Sequence, residues 1–170
     1  MKRKTIILQS VLFGIASLFL AATIYAGAEV ADEIKMENKA YEKHKKGIVI
    51  FTHKKHAEEY KMGKDETKIG CGDCHHDENN KPLDNLKKCD KVQNCIECHK
   101  KPAMIKGKEV KAQGLTKEQQ REYHANAIHD NCKGCHKKFN KEKGLKSKDK
   151  GAAPTGCKAC HPKTEKNDKK

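Results

Sequence analysis

Tryptophan is absent from this 170-residue chain, and phenylalanine and tyrosine number four each. Mean hydropathy is −0.95. A small chain so poor in apolar side chains cannot build an aliphatic core large enough to offset the entropy of ordering it. Composition alone points to disorder. Arginine is nearly missing as well: of 37 basic residues only Arg3 and Arg121 are arginine. Nucleic-acid binders commonly rely on arginine forks and aromatic stacking platforms, so that class is disfavoured. What is left is a lysine surface with a formal net charge of +14. Such a surface gives diffuse, salt-sensitive attraction to acidic partners, although for most single lysines plain solubility is the simpler role.

Cysteine is the exception. There are nine, and eight of them fall in four copies of one pentapeptide. These are Cys71-Gly72-Asp73-Cys74-His75, Cys95-Ile96-Glu97-Cys98-His99, Cys132-Lys133-Gly134-Cys135-His136 and Cys157-Lys158-Ala159-Cys160-His161. Cys-x-x-Cys-His is the attachment signature of c-type haem: the two thiols add to the porphyrin vinyl groups as thioethers, and the next histidine ligates the iron. A zinc ribbon or a thioredoxin-like motif also pairs cysteines, but neither requires histidine directly after the second one. With histidine at 10 of 170 positions, four chance coincidences have a probability of about 10⁻⁵. The reading is four covalently bound haem c groups, which would supply the core that the side chains cannot.

Along the chain, Lys2, Arg3 and Lys4 precede an apolar run from Thr5 to Tyr25, and Ala26-Gly27-Ala28 offers small residues at a cleavage site. Residues 1–28 therefore read as an export signal, with an uncleaved membrane anchor as the rival because the run is nearly long enough to span a bilayer. Export predicts the periplasm, and leaves 29–170 as a single four-haem domain. Ile34-Lys35-Met36 and Gly47-Ile48-Val49-Ile50-Phe51 predict two short strands. His53 and His56 then follow at a spacing that could share one face of a helical turn. Thr116-Lys117-Glu118-Gln119 fits a capping box, predicting a helix that carries Tyr123 and Ile128 through His129. The segment Lys141–Gly156 reads as a loop. Motif spacings of 24, 37 and 25 residues are unequal, which favours one fused cluster over a repeat array.

Four proximal iron ligands follow from the motifs: His75, His99, His136 and His161. His44, His53, His56, His76, His124 and His129 remain, more than enough to give each iron a second imidazole. Two imidazoles per iron and exposed haem edges would give low potentials, whereas a methionine such as Met62 or Met104 would raise them. His124 and His129, five residues apart on a helix, point about 140° apart, so only one can face a given iron.

Several local words, in this order, are similar to the class III cytochromes c, the tetrahaem cytochromes c3 of sulfate-reducing bacteria. They are Ile34-Lys35-Met36-Glu37, Val49-Ile50-Phe51-Thr52-His53-Lys54-Lys55-His56, Cys71-Gly72-Asp73-Cys74-His75-His76, and Tyr123 with His129-Asp130 before the third motif. The resemblance implies sixth ligands residue by residue: His53 opposite His75, His76 opposite His99, His56 opposite His136, and His129 opposite His161. It also implies the fold class: a small multihaem cytochrome with few short helices, a small N-terminal two-stranded β element, and loops wrapped around a four-haem core. The chain departs from the family pattern in three ways. All four motifs have two-residue spacers, where members often carry four at the second and fourth haems. The connector Lys100–Leu115 is longer than in compact members. Cys89 is left over, and reads as a plain thiol.

The function implied is a periplasmic electron carrier, not an enzyme, with no small-molecule substrate. Its expected partners are acidic-faced redox proteins: a hydrogenase or formate dehydrogenase as donor and a membrane cytochrome complex as acceptor, within anaerobic sulfate respiration. Lys158 and Lys163 beside the fourth motif, with Lys133, Lys137 and Lys138 beside the third, are candidates for a docking edge. The rival classes are a multihaem reductase of metal ions or oxyanions, and a haem subunit held in a membrane complex.

Overall fold

A computed structural model describes residues 31–87 and 90–163. The expected export segment 1–28 and Cys89 lie outside the described residues. The chain divides into two units, 1–30 with 88–91 and 31–87 with 92–170, and every element below belongs to the second.

The expected N-terminal pair is present in short form. Strand β1 (Ile34–Lys35) runs antiparallel to β2 (Ile50–Phe51), with Ile34 opposite Phe51 and Lys35 opposite Ile50. A further bond from Met36 N to Val49 O at 2.9 Å extends the ladder. Branched and aromatic side chains suit the pleated surface here. Helix α1 (His53–Glu58) follows at once and carries His53 and His56 on one turn, as their spacing predicts. A second hairpin, β3 (Lys61–Met62) with β4 (Thr67–Lys68), was not expected. Its turn needs left-handed backbone at Gly63 (φ 73°) and Glu66 (φ 53°), which glycine adopts freely and glutamate does not. Its carboxylate is met by Lys143 Nζ from beyond the hairpin at 2.8 Å and by Lys61 Nζ of β3 at 3.7 Å.

The remaining elements are all helical: a 3₁₀ turn at Cys71–Asp73, α2 (Cys95–Cys98), α3 (Lys108–Gln113), α4 (Lys117–Arg121), α5 (His124–Glu142) and α6 (Cys157–Cys160). The capping box forms at α4, with Gln119 N donating to Thr116 Oγ1 at 3.3 Å and Thr116 N to Gln119 Oε1 at 2.9 Å. The helix beyond differs from the expectation. It breaks at Glu122–Tyr123, restarts at His124, and runs through the third haem motif to Glu142. The break lets Tyr123 pair with Lys101 in an isolated bridge, and His124 N donate to Lys101 O at 2.9 Å. Tertiary pairing overrides local helix preference there.

Two asparagines on α5 clamp the flanking connectors. Asn126 exchanges two 2.9 Å bonds with the backbone of Ile105. Asn140 does the same with Ala153, donating at 2.9 Å and accepting at 2.7 Å. The loop expected over Lys141–Gly156 starts at Lys143, because α5 runs on through Glu142, and Asn140 pins it at Ala153.

Ile105, at 4 % exposure, is the one large apolar side chain buried among the described residues, while His124 and Asn140 are buried polar groups. Ile50 and Tyr60 stay about half exposed. Among the described residues no helix is long and apolar enough to cross a membrane.

Candidate haem sites

Three of the four pentapeptides form a single helical turn, and the third lies inside α5. In the three isolated turns the histidine N–H bonds back to the first cysteine carbonyl: His75 to Cys71 at 2.9 Å, His99 to Cys95 at 2.8 Å, His161 to Cys157 at 2.8 Å. One such turn sets the two sulfurs three residues apart on the same side with the imidazole beside them. Acidic residues close the first two turns: Gly70 N donates to Asp73 Oδ2 at 2.8 Å, and Asn94 N to Glu97 Oε1 at 3.1 Å. Asn131 on α5 reaches the first motif, donating to Cys74 O at 3.1 Å.

Burial, with Cys135 and Cys132 nearby, pushes the Cys74 thiol up to about 11. The partly buried Cys135 and Cys160 thiols are raised as well. Among the described residues no three or more His, Cys, Asp and Glu side chains converge as a metal cage, which a zinc ribbon requires.

The histidines come together in pairs instead. His56 and His136 have ring centroids 6.2 Å apart, His76 and His99 6.1 Å, and His129 and His161 6.1 Å. A metal–nitrogen bond of about 2 Å on each side, plus about 1.1 Å from nitrogen to ring centre, sets two trans imidazoles about 6.2 Å apart. The interplanar angles of 21°, 68° and 55° are compatible, because rotation about the metal–nitrogen axis leaves that separation unchanged. Burial lowers the proton affinity of His75, with His53 and then His76 nearby.

Six of these rings are oriented by the same device. His99 Nδ1 donates to Arg121 O at 2.6 Å, His136 Nδ1 to Pro154 O at 2.6 Å, and His161 Nδ1 to Gly47 O at 2.7 Å. On the opposing side His56 Nδ1 donates to Thr52 O at 2.8 Å, His76 Nδ1 to Asp77 O at 2.8 Å, and His129 Nδ1 to Ala125 O at 2.6 Å. A carbonyl can only accept, so the proton sits on Nδ1 and the Nε2 lone pair is left for a metal. The residues therefore fit haem iron, which takes only two ligands from the chain.

His124 is different. It is 6 % exposed, and its Nδ1 lies 2.8 Å from the Tyr41 hydroxyl. Burial raises the Tyr41 pKa, so the phenol keeps its proton. A phenol can donate to or accept from that nitrogen, so no carbonyl fixes the His124 tautomer as it does in the six rings above. His44 stacks on Tyr41 with centroids 5.4 Å apart and has no histidine ring opposite it.

Sequence reasoning did not find the carbonyl acceptors, since every residue carries one. Gly47 is the exception with a readable signal. It interrupts a polar-to-apolar transition, and a Cβ there would strike the Pro162 carbonyl. His129 and His136 are seven residues apart on α5, so they share nearly one face about 10 Å apart along the axis. One helix would thus serve two of the candidate sites.

A family model described as the class III cytochrome C family matches residues 28–161. No curated protein and no solved structure matches the chain.

Proposed function

The chain belongs to the class III cytochrome c family of multihaem electron-transfer proteins with covalently bound haem c, and from that premise we propose that it is a periplasmic, low-potential tetrahaem electron carrier. The single observation that carries the proposal is the set of three imidazole pairs at 6.1–6.2 Å. The haems would be attached through Cys71 and Cys74, Cys95 and Cys98, Cys132 and Cys135, and Cys157 and Cys160. Their axial pairs would be His53 with His75, His76 with His99, His56 with His136, and His129 with His161.

When bound, each haem iron supplies a one-electron redox centre. The chain's own part is to hold both axial positions with imidazole, which keeps potentials low and leaves no site for a substrate on the metal. Adjacent residues also force the sites together: His75 with His76, and His53 with His56 on α1. Crowded, exposed centres favour rapid outer-sphere exchange. The lysine surface steers acidic redox partners, with hydrogenase or formate dehydrogenase as donor and a membrane cytochrome complex as acceptor. Anaerobic sulfate respiration is the setting the family suggests.

Carbon monoxide added to the reduced protein tests the carrier reading. The expected result is an unchanged visible spectrum, because no iron position is open. Rapid binding would overturn it in favour of a reductase with a displaceable ligand.

A further inference from the structure

Asn140 is 6 % exposed, an unusual position for an asparagine in the last turns of a lysine-rich helix. Its two bonds to Ala153 use one amide hydrogen and the carbonyl oxygen. They fix the peptide immediately before Pro154. The Pro154 carbonyl, in turn, accepts the Nδ1 proton of His136 at 2.6 Å and lies 3.9 Å from Cys160 Sγ. His136 is one helical turn before Asn140 on α5. A closed ring results: His136 to Pro154, Pro154 to Ala153 through the chain, Ala153 to Asn140, and Asn140 back to His136 through the helix.

We propose that Asn140 is a positioning residue for the third haem, holding the Pro154 carbonyl at the place where it receives the His136 Nδ1 proton. The inference rests on His136 being an iron ligand, as proposed above. A short hydrogen bond at Nδ1 fixes ring orientation and makes the ligating nitrogen a stronger donor, which favours ferric over ferrous iron. Loosening the carbonyl therefore raises the potential of one haem out of four. Proline contributes by fixing its own φ, so the loop has few other ways to present that oxygen. Asn126 provides an internal control. It makes the same two-bond clamp near the start of the same helix, but to Ile105, whose carbonyl receives no ligand histidine.

The test compares holoprotein of the parent, Asn140→Ala, Asn140→Asp and Asn126→Ala. The readouts are the four midpoint potentials, the low-spin electron paramagnetic resonance of each haem, and solvent exchange of the His136 Nδ1 proton. Asn140→Ala is expected to raise only the third-haem potential, shift that haem's resonance, and speed exchange roughly thirtyfold, as for the loss of two net hydrogen bonds. Asn140→Asp keeps the acceptor for Ala153 N, loses the donor, and should fall between parent and alanine. Asn126→Ala should leave the third haem unchanged. The proposal is overturned if Asn140→Ala retains four haems yet leaves the third one unaltered, or if Asn126→Ala moves it equally. If Asn140→Ala loses haem or fails to fold, Asn140→Asp decides by the same criteria. If the parent itself has no bis-imidazole haem at His136, the underlying ligand assignment fails instead, and the parent spectrum reports that separately.

Discussion

The imidazoles of His56 and His136 face one another across 6.2 Å with their planes 21° apart, though they come from a six-residue helix and a nineteen-residue one. Their Nδ1 protons both point to backbone carbonyls, so Nε2 is the unprotonated nitrogen of each ring. No side-chain contact between the two rings requires this spacing. It equals the spacing expected of two imidazoles that would share a metal.

Removing one ring of such a pair should open one iron. His129→Ala is expected to yield one high-spin haem of four and one equivalent of carbon monoxide bound after reduction. His124→Ala should yield none, because its ring is engaged with Tyr41. Carbon monoxide binding in the His124 variant, and not in the His129 variant, would reverse the assignment.

Gly47 places its carbonyl on His161 at 2.7 Å while passing close to Pro162. Gly47→Ala adds a methyl group where backbone already stands. The expected cost is about 1–3 kcal/mol, as for overpacking, together with a changed fourth-haem resonance. Thermal unfolding and electron paramagnetic resonance check both. Unchanged values would mean that the 47 and 162 segments separate without consequence.

His124 gives a pH dependence with a definite sign. Burial holds it below the ordinary imidazole value of 6.5. As pH falls through that value the unfolded chain takes up a proton that the folded chain refuses. The group therefore costs stability below about pH 6.5 and is neutral above it. His124→Gln should show a smaller loss of melting temperature between about pH 7.5 and about pH 5.5 than the parent. Parallel losses would mean that His124 is charged in the fold.

Much of this arrangement was legible in the sequence because the chemistry is local. The pentapeptides, His53-x-x-His56 and the Thr116 capping box each sit within one helical turn, where spacing dictates geometry. The β1–β2 pair was legible from Ile34, Ile50 and Phe51. The course of α5 was not, because Tyr123 breaks the helix through pairing with Lys101, a contact remote in sequence. Nor were the asparagine clamps, since Asn126 and Asn140 look like helix-poor surface residues until their distant backbone partners are known. The β3–β4 hairpin escaped notice for a similar reason: Glu66 adopts a backbone it disfavours, and Lys143 holds it there.

Lys137, Lys138, Lys158 and Lys163 are exposed beside the third and fourth motifs, and Lys133 is half-buried. Among the described residues only Lys138 of these five has an acidic partner within reach, Glu142 at 3.9 Å. Changing several of them to glutamate should slow reduction by an acidic donor and flatten the dependence of that rate on ionic strength. Stopped-flow reduction across a salt series measures both. A rate and salt slope equal to the parent's would place docking elsewhere.

The central claim is that porphyrins replace an aliphatic core in a chain whose one large buried apolar side chain, among the described residues, is Ile105. Intact mass of the exported protein, taken with its visible and electron paramagnetic resonance spectra, tests it most directly. The account predicts the polypeptide plus four haem c masses, all low-spin with two imidazoles. A colourless protein, or one carrying zinc or fewer haems with every motif cysteine free, would contradict it.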